Sequence, residues 1–310
     1  MEFIDNAKDF FGNETSIHLL ADPAIAARTP STFNAATKGP DQGSWWDSMD
    51  KEMNSQHKNG SWILVPHERS MRVAKCGWVY KIKIHQDGSI AKYKSRLVCK
   101  GYSQILGENY FETFAPTIKR STLRWMVALC CALGIPIYES DVETAFLMAD
   151  VDEEDDVDLY MEQAPGYEKF GPNGEKLVCK LAASLYGSKQ AGRNWYLMFK
   201  RIIMAFEAQG TTPVMEMADQ DNCLFFAHVQ GHILMIAINV DNIFSASTSE
   251  TLRQPFLAHL ESEVILEHLG LLSWSLGLRF VQNLKEGWTT IDQQLYCETM
   301  LKEFNFWDNV

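Results

Sequence analysis

Apolar positions along this chain switch repeatedly between a helical and a strand period. The run WWDSMDKEMNSQHKN has apolar residues at helical spacing, with Ser44 placed to cap its start and Gly60 to end it. WILVP, GWVYKIKI and IAKYKSRLVCKGY then read as strands, the last two joined as a hairpin through Gln86-Asp87-Gly88. Ser121 opens TLRWMVALCCALG, an apolar helix closing at Gly134, and IPIYESDV is a strand that carries Asp141 near its C-terminal end. LVCKL is a short strand, and residues 190–209 form the clearest amphipathic helix, with Trp195, Phe199, Ile202, Ile203 and Phe206 on one face. Trp195 and its neighbour Tyr196 read as core. CLFFAHV and HILMIAINV make a second hairpin through Gln230-Gly231, and IFSAS follows a tight Asp241-Asn242 turn. Helices over 249–260 and 293–306 bracket VILEHLG, LGLRFVQNL and WTTID. The order predicts an α+β fold with a mostly antiparallel sheet and helices on one face, not a doubly wound one. Residues 1–43 carry little period, and RTPSTFNAATKGPDQG reads as a linker, so the packed domain is expected over 44–310.

Charge sharpens this picture. The net charge of −12 argues against a nucleic-acid partner if spread evenly. It is not spread evenly. Residues 72–124 hold eleven Lys or Arg against three Asp or Glu, a net of +8, whereas 139–158 hold ten acids and no Lys or Arg. The basic segment is therefore a candidate polyanion surface. The seven cysteines are odd in number and show no C-x-x-C pair, which reads as reduced thiols in an intracellular, cytoplasmic protein. MEFIDNAKDFF lacks the basic and apolar regions of a signal peptide, and the longest apolar stretch is too short to cross a bilayer, so no membrane association is expected.

Two acidic positions are candidates for chemistry, Asp141 after one strand and Asp241 in a hairpin turn. Each has an ordinary reading too. Asp and Asn tolerate turn backbone, and Asp141 before VETAFL fits a helix N-cap equally well.

The strings WWDSMDKEMNSQHKNGSWILVP, GWVYKIKIHQDGSIAKYKSRLVCKGYSQ, SDVETAFL, DLYMEQAPGY, LVCKLAASLYGSKQAGRNWY, NVDN and LEHLGLLSWSLGL, in this order, resemble the reverse transcriptase domain of copia-type retrotransposons. The resemblance implies a polymerase right-hand fold, with fingers at about 60–125, a palm at about 135–290 whose antiparallel sheet is backed by helices, and a thumb that is partial or missing, beginning at about 291–310. It makes residues 1–43 a linker-like polyprotein segment. It implies RNA-directed DNA synthesis, with Asp141, Asp241 and Asn242 at the catalytic positions and Asp141, the Val142 carbonyl and Asp241 holding two Mg²⁺ ions, for which Mn²⁺ can substitute. Two-metal phosphoryl transfer needs carboxylates converging on ions a few Å apart. By the same resemblance Lys81, Lys83 and Arg96 grip triphosphate and template, and Phe146 is the gate against a 2′-hydroxyl. Tyr186 and Gly187 begin the motif that packs against the nascent pair, Lys189, also a nucleotide-binding candidate, Gln190 and Arg193 follow on the helix, and Leu276, Gly277 and Leu278 form a primer grip. Template-primer and dNTPs are the implied partners, with integrase and ribonuclease H elsewhere in a Gag-Pol polyprotein, inside a virus-like particle if the element is intact.

The chain departs from that pattern at several places. Asn239-Val240-Asp241-Asn242 stands where the family has Tyr-Val-Asp-Asp. Asn242 keeps one carbonyl oxygen but loses a charge and gains a donor. A charge pair about 4 Å apart at an effective dielectric near 20 is worth roughly 4 kcal/mol, so losing part of it slows chemistry by about two to three orders of magnitude. Ser188 replaces a leucine, Met148-Ala149 replaces Asn-Gly, and DVDEEDDVD adds acid. No zinc, protease, integrase or ribonuclease H pattern is present, which reads as an excerpt of a polyprotein or a decayed reading frame. Two other functions stay open: a catalytically inactive nucleic-acid-binding remnant, and a relic with no selected role.

Overall fold

The computed structural model describes residues 28–84, 89–143, 145–148, 158–208 and 214–307. In chain order the elements are α1 (Phe33–Lys38), α2 (Gln42–Lys58), β1 (Trp62–Pro66), β2 (Val73–Ala74), β3 (Cys76–Ile84), β4 (Ile90–Cys99), α3 (Arg120–Leu133), β5 (Tyr138–Val142), α4 (Ala145–Met148), β6 (Tyr160–Met161), β7 (Leu177–Leu181) and α5 (Ala191–Met204). They continue with β8 (Glu216–Ala218), β9 (Asp221–Val229), β10 (His232–Asn239), β11 (Asn242–Ser247), α6 (Glu250–Glu261), β12 (Leu266–Leu271), β13 (Trp274–Ser275), β14 (Leu278–Asn283), β15 (Trp288–Asp292) and α7 (Gln294–Glu303). Among the described residues, every pair of named strands is antiparallel except the short β2–β6 pair, so the mixed α/β character with mostly antiparallel sheets holds.

The chain divides into two compact units. The first, Leu20–Ala115 with Phe146–Leu197, contains a four-stranded sheet of order β1-β7-β6-β2 and the β3–β4 hairpin. Alternation makes the hairpin amphipathic: Trp78, Tyr80, Ile82 and Leu97 turn to a core shared with Trp45 and Met49 of α2. Trp45 packs edge-on to Tyr80 at 5.1 Å and to Tyr93 at 4.8 Å. The second unit comprises Pro116–Ala145 and Met198–Val310 besides residues outside those described. Its six-stranded sheet has the order β12-β5-β11-β10-β9-β8, and β13-β14-β15 form a separate meander. β11 lies inside the sheet and is buried along its whole length, as NIFSAS, with no charge, allows. α6 and the segment after α5 meet where Phe206 packs on Phe256 at 5.2 Å and His259 donates through Nε2 to the Ile202 carbonyl at 2.8 Å. β12 is an outer strand, and its register skips Leu269, a bulge between His268 and Gly270; Leu269 and Leu271 are exposed.

Several local expectations shift. α2 starts at Gln42 and its N-cap is Asp41, not Ser44; the Asp41 carboxylate is held by Arg28 at 2.6 Å instead of capping. The stretch expected to be linker contains α1, capped by Thr32, whose Oγ1 accepts from the Ala35 amide at 3.2 Å. α5 stops at Met204, earlier than its apolar period, because the chain turns at Ala205 to bring Phe206 onto α6. Because α5 starts at Ala191, Lys189 and Gln190 precede it. Gly60 and Gly134 do take the left-handed backbone after α2 and α3, at φ 61° and 65°. The Gln86-Asp87-Gly88 turn, Ala149 and the acidic run at 150–157 lie outside the described residues.

Candidate functional site

β5 lies between β11 and β12, so Asp141 is paired on both sides, with Asn242 and with Glu267. Directly opposed residues share a face, which sets Glu267, Asp141 and Asn242 in one row across three strands. The Val142 amide donates to the Asp241 carbonyl at 2.9 Å, drawing the β10–β11 turn against the end of β5. Asp141 is thus a paired strand residue, and the helix-cap alternative falls, since the next described helix starts at Ala145. Asp141 and Asp241 are half-buried and Val142 is buried.

The turn itself differs from expectation. Asn239 pairs with Asn242, so the two tip residues are Val240 and Asp241, and Asn242 is the first residue of β11. The residue with positive φ is Val240, at 58°, not an asparagine. A β-branched residue there costs about 1–3 kcal/mol, strain of a kind that concentrates at functional turns. Asn242 is 2% exposed, and its Nδ2 has no hydrogen-bond partner.

Two further features of this unit had no local sequence signal. Glu139, on the same face of β5 as Asp141, is buried, and burial pushes its carboxyl up to about 7 against a smaller opposing effect of Ser275. On the other face the Ser140 hydroxyl bonds His268 Nδ1 at 2.9 Å, and His268 Nε2 meets Glu261 Oε1 at 2.8 Å. Ser140 is buried within the strand, so this relay does not present a nucleophile; it ties β12 to β5 and to the end of α6. The expected Leu276-Gly277-Leu278 strand is a turn instead: Leu276 (φ 53°) and Gly277 (φ 74°) form the tip between β13 and β14, and only Leu278 enters a strand. Positive φ at both tip residues matches the twist of a two-residue hairpin, which a local apolar triplet does not reveal.

In the other unit, Lys81 opposes Lys94, Lys83 opposes Lys92, and Arg96 opposes Val79. One face of the hairpin therefore carries five cations while the other is core. Like charges set directly opposite destabilise a sheet by roughly 0.2–1 kcal/mol per pair, so such a stripe is a costly surface without a polyanion to meet. Lys92 and Lys94 belong to it as much as the three residues expected from sequence. Arg96 lies over the Tyr186 ring at 4.7 Å, and Phe146 meets Tyr186 edge-on at 5.3 Å. Gly187 has φ 84°, and a Cβ there would fall 2.3 Å from the Cys99 carbonyl oxygen, so glycine is required. Cys99 and Gly101 amides donate to the Tyr186 and Gly187 carbonyls at 2.7 and 3.1 Å. Ser188 is buried and donates to the Leu185 carbonyl at 2.9 Å, Lys189 is exposed, and Gln190 is buried between Gln104 and Asn109. Arg193 is on α5, and Trp195 and Tyr196 are buried as expected.

The structure thus gathers Asp141, Val142, Asp241 and Asn242 in one unit, and Arg96, Phe146, Tyr186 and Gly187 in the other. Among the described residues no three or more His, Cys, Asp or Glu side chains cluster as a metal site, and no helix is long and apolar enough to cross a membrane.

The profile of the reverse transcriptase (RNA-dependent DNA polymerase) family matches residues 59–310. The retrovirus-related Pol polyprotein from transposon TNT 1-94 of Nicotiana tabacum is 31% identical over 90% of this chain and 20% of its own length. The corresponding polyprotein from transposon RE1 of Arabidopsis thaliana is 32% identical over 82% of this chain and 17% of its own. The chain thus spans about a fifth of the length of these curated relatives. A solved foamy viral protease-reverse transcriptase in complex with double-stranded DNA is similar over 75% of this chain and 33% of its own, at 12% identity and a TM-score of 0.36.

Proposed function

The chain belongs to the reverse transcriptase (RNA-dependent DNA polymerase) family, of copia type, and on that premise we propose that it is the RNA-directed DNA polymerase domain of a retrotransposon Pol polyprotein. It transfers a nucleotidyl group from a dNTP to a primer 3′-hydroxyl on an RNA or DNA template. The six-stranded sheet acts as the palm and the basic hairpin as part of the fingers. The observation that supports this best is the pairing of Asp141 with Asn242 together with the Val142–Asp241 hydrogen bond, which brings two carboxylate-bearing segments to one end of a sheet.

The donors fit a hard divalent cation in part. Asp141, Asp241 and the Val142 carbonyl offer oxygen ligands of the kind Mg²⁺ or Mn²⁺ takes. Divalent ions held by these oxygens would supply Lewis acidity to lower the pKa of the primer hydroxyl and positive charge to offset that developing on the triphosphate. Asn242 fits poorly: it offers one neutral oxygen, and its unpaired Nδ2 is a donor that a cation does not use. The site is one negative charge short, and turnover is slow for that reason. Phe146 rejects a 2′-hydroxyl by bulk, while Lys81, Lys83 and Arg96 draw in the triphosphate and template. Leu276, Gly277 and Leu278 approach the primer as a turn. Integrase and ribonuclease H modules accompany it in the polyprotein, inside a cytoplasmic particle.

Primer extension on a poly-A template with Mg²⁺ and dTTP tests this, with Asp141→Asn as the blank. Incorporation no higher than the blank removes the polymerase reading. A second reading, an inactive nucleic-acid-binding remnant, is favoured by the buried and unpaired Asn242 amide. It predicts salt-dependent RNA–DNA affinity, lost when Lys81, Lys83 and Arg96 are neutralised, without synthesis.

A further inference from the structure

The first unit holds a cavity of about 90 Å³ between the end of α2, β1, β7 and the loop that follows β6. Buried Met53, Ala164 and Cys179 form its base, half-buried Trp62, Leu64 and Tyr167 its walls, and exposed His57 and Lys169 its mouth. The volume is that of about three liquid waters, or of one small ring. An ordered water needs about two to four polar partners, and a base of thioether, methyl and thiol groups supplies few, so an apolar ring suits the interior better.

The walls are set before anything binds. Gln163, which also lines the cavity, spends its amide on the backbone: Nε2 donates to the Lys169 and Leu177 carbonyls at 2.7 and 2.9 Å, and Oε1 accepts from the Lys169 amide at 2.9 Å. Trp78 Nε1 donates to the Pro165 carbonyl at 3.0 Å, and the Cys76 thiol donates to the Gln163 carbonyl at 3.3 Å. Tyr167 is held at both ends, its hydroxyl donating to Asp50 Oδ1 at 2.6 Å and its ring tilted against those of Trp46 and Trp78, each at 5.9 Å. A pocket fixed in this way costs a ligand little reorganisation.

The lining selects by ring and by charge. Trp62 and Tyr167 present aromatic surface, His57 lies tilted to Trp62 at 6.0 Å, and the Met53 thioether offers a polarizable contact that favours an aromatic ring over an aliphatic one. At the mouth the Lys169 ammonium sets the sign, and Lys58, beside His57 in the last turn of α2, adds to it. The acids beside the loop are engaged within the protein, Asp50 by the Tyr167 hydroxyl and Glu168 by the Gly166 amide at 2.9 Å. An anionic group on the ring therefore meets Lys169 in a charge-assisted contact.

We propose that this cavity is a binding site for a small one-ring aromatic carboxylate, with the ring enclosed by Trp62, Tyr167 and Met53 and the carboxylate at Lys169 and His57. The site goes beyond the polymerase reading and does not rest on it, since it needs neither divalent metal nor nucleic acid. Binding is accordingly measured in EDTA, without template or dNTP.

The test is saturation-transfer NMR of the full chain titrated with benzoate, benzyl alcohol, benzylamine and acetate in turn. Benzoate is expected to saturate with a Kd on the order of 1 mM, benzyl alcohol about fivefold more weakly, and benzylamine and acetate not at all. Lys169→Gln is expected to weaken benzoate about fivefold and leave benzyl alcohol unchanged, a split that a general loss of structure does not produce. Ala164→Leu fills the base and is expected to abolish both; Ala164→Val, the milder change, is expected to weaken both at least threefold. Circular dichroism melts of each variant verify folding. Benzoate binding that persists unchanged in folded Ala164→Leu or Ala164→Val overturns the proposal, as does equal affinity for benzoate and benzylamine, or no saturable benzoate signal up to about 10 mM. A tighter grip on N-acetylphenylalaninamide than on benzoate also overturns it, since the cavity then seats a side chain of a protein partner.

Discussion

Asn242→Asp is the perturbation that the row of Glu267, Asp141 and Asn242 makes most informative. It replaces a buried amide carrying an unpaired N–H with a carboxylate directly opposite Asp141. Paired Cα atoms in an antiparallel ladder lie about 5 Å apart. At an effective dielectric near 20, two like charges at that separation cost about 3 kcal/mol. Removing the unpaired donor returns about 1 kcal/mol or somewhat more. In EDTA at pH 8 the variant is therefore expected to be about 2 kcal/mol less stable than wild type. Magnesium reverses the sign of that repulsion. At a concentration near 100 times the dissociation constant it contributes about 2.7 kcal/mol by mass action, and it does so more for the variant than for wild type. Urea unfolding with and without Mg²⁺, followed by tryptophan fluorescence, measures both quantities, and Asp141→Asn on the variant background removes the repulsion. Incorporation should rise by about two orders of magnitude in parallel. A variant as stable as wild type in EDTA, and indifferent to Mg²⁺, refutes the row geometry as the basis of the site.

Other consequences follow from the same structure. Glu139 is protonated more readily when folded than when unfolded, so stability falls as pH rises from about 4.5 and the loss is complete above about 7. Glu139→Gln is expected to abolish that decline and to add about 3 kcal/mol at pH 8; parallel urea curves at pH 5 and 8 check it, and an unchanged pH dependence refutes it. Val240→Asn accommodates the positive φ that valine resists and should stabilise the second unit by about 1 kcal/mol in the same unfolding assay. Burial pushes the thiols of Cys76, Cys99, Cys130, Cys179 and Cys223 up to about 12, whereas Cys297 is exposed. Iodoacetamide at pH 8 should therefore alkylate Cys297 first, as read by peptide mass mapping.

The amphipathic hairpin and the glycine-closed ends of α2 and α3 were legible because alternation, apolar spacing and left-handed glycines act within a few residues. Lys81 and Lys83 on one face, and Gly134 closing α3, needed nothing more. The turn at Val240-Asp241 was misplaced by one position, since asparagine is the better turn residue and only the β10–β11 register sends it into the strand. Likewise Leu276-Gly277 passes for part of a strand until β13 is seen to pair with β14. Glu267 beside Asp141, the Ser140–His268 bond and the return of Phe146–Leu197 to the first unit depend on contacts far apart in sequence, which no local pattern announces. Glu139 was invisible for a related reason, because its proton affinity comes from the neighbours that bury it.

The bulge at Leu269 has a consequence for how molecules of this chain meet one another at high concentration. An outer strand bearing the exposed Leu269 and Leu271 offers a neighbouring copy both apolar side chains and a ladder of amides, the ingredients of intermolecular cross-strand stacking. The skipped residue breaks that ladder into two short, misaligned pieces, and Gly270 at φ 87° fixes the break in place. Deleting Leu269 would restore an even run and turn a tolerated edge into a seed for fibres.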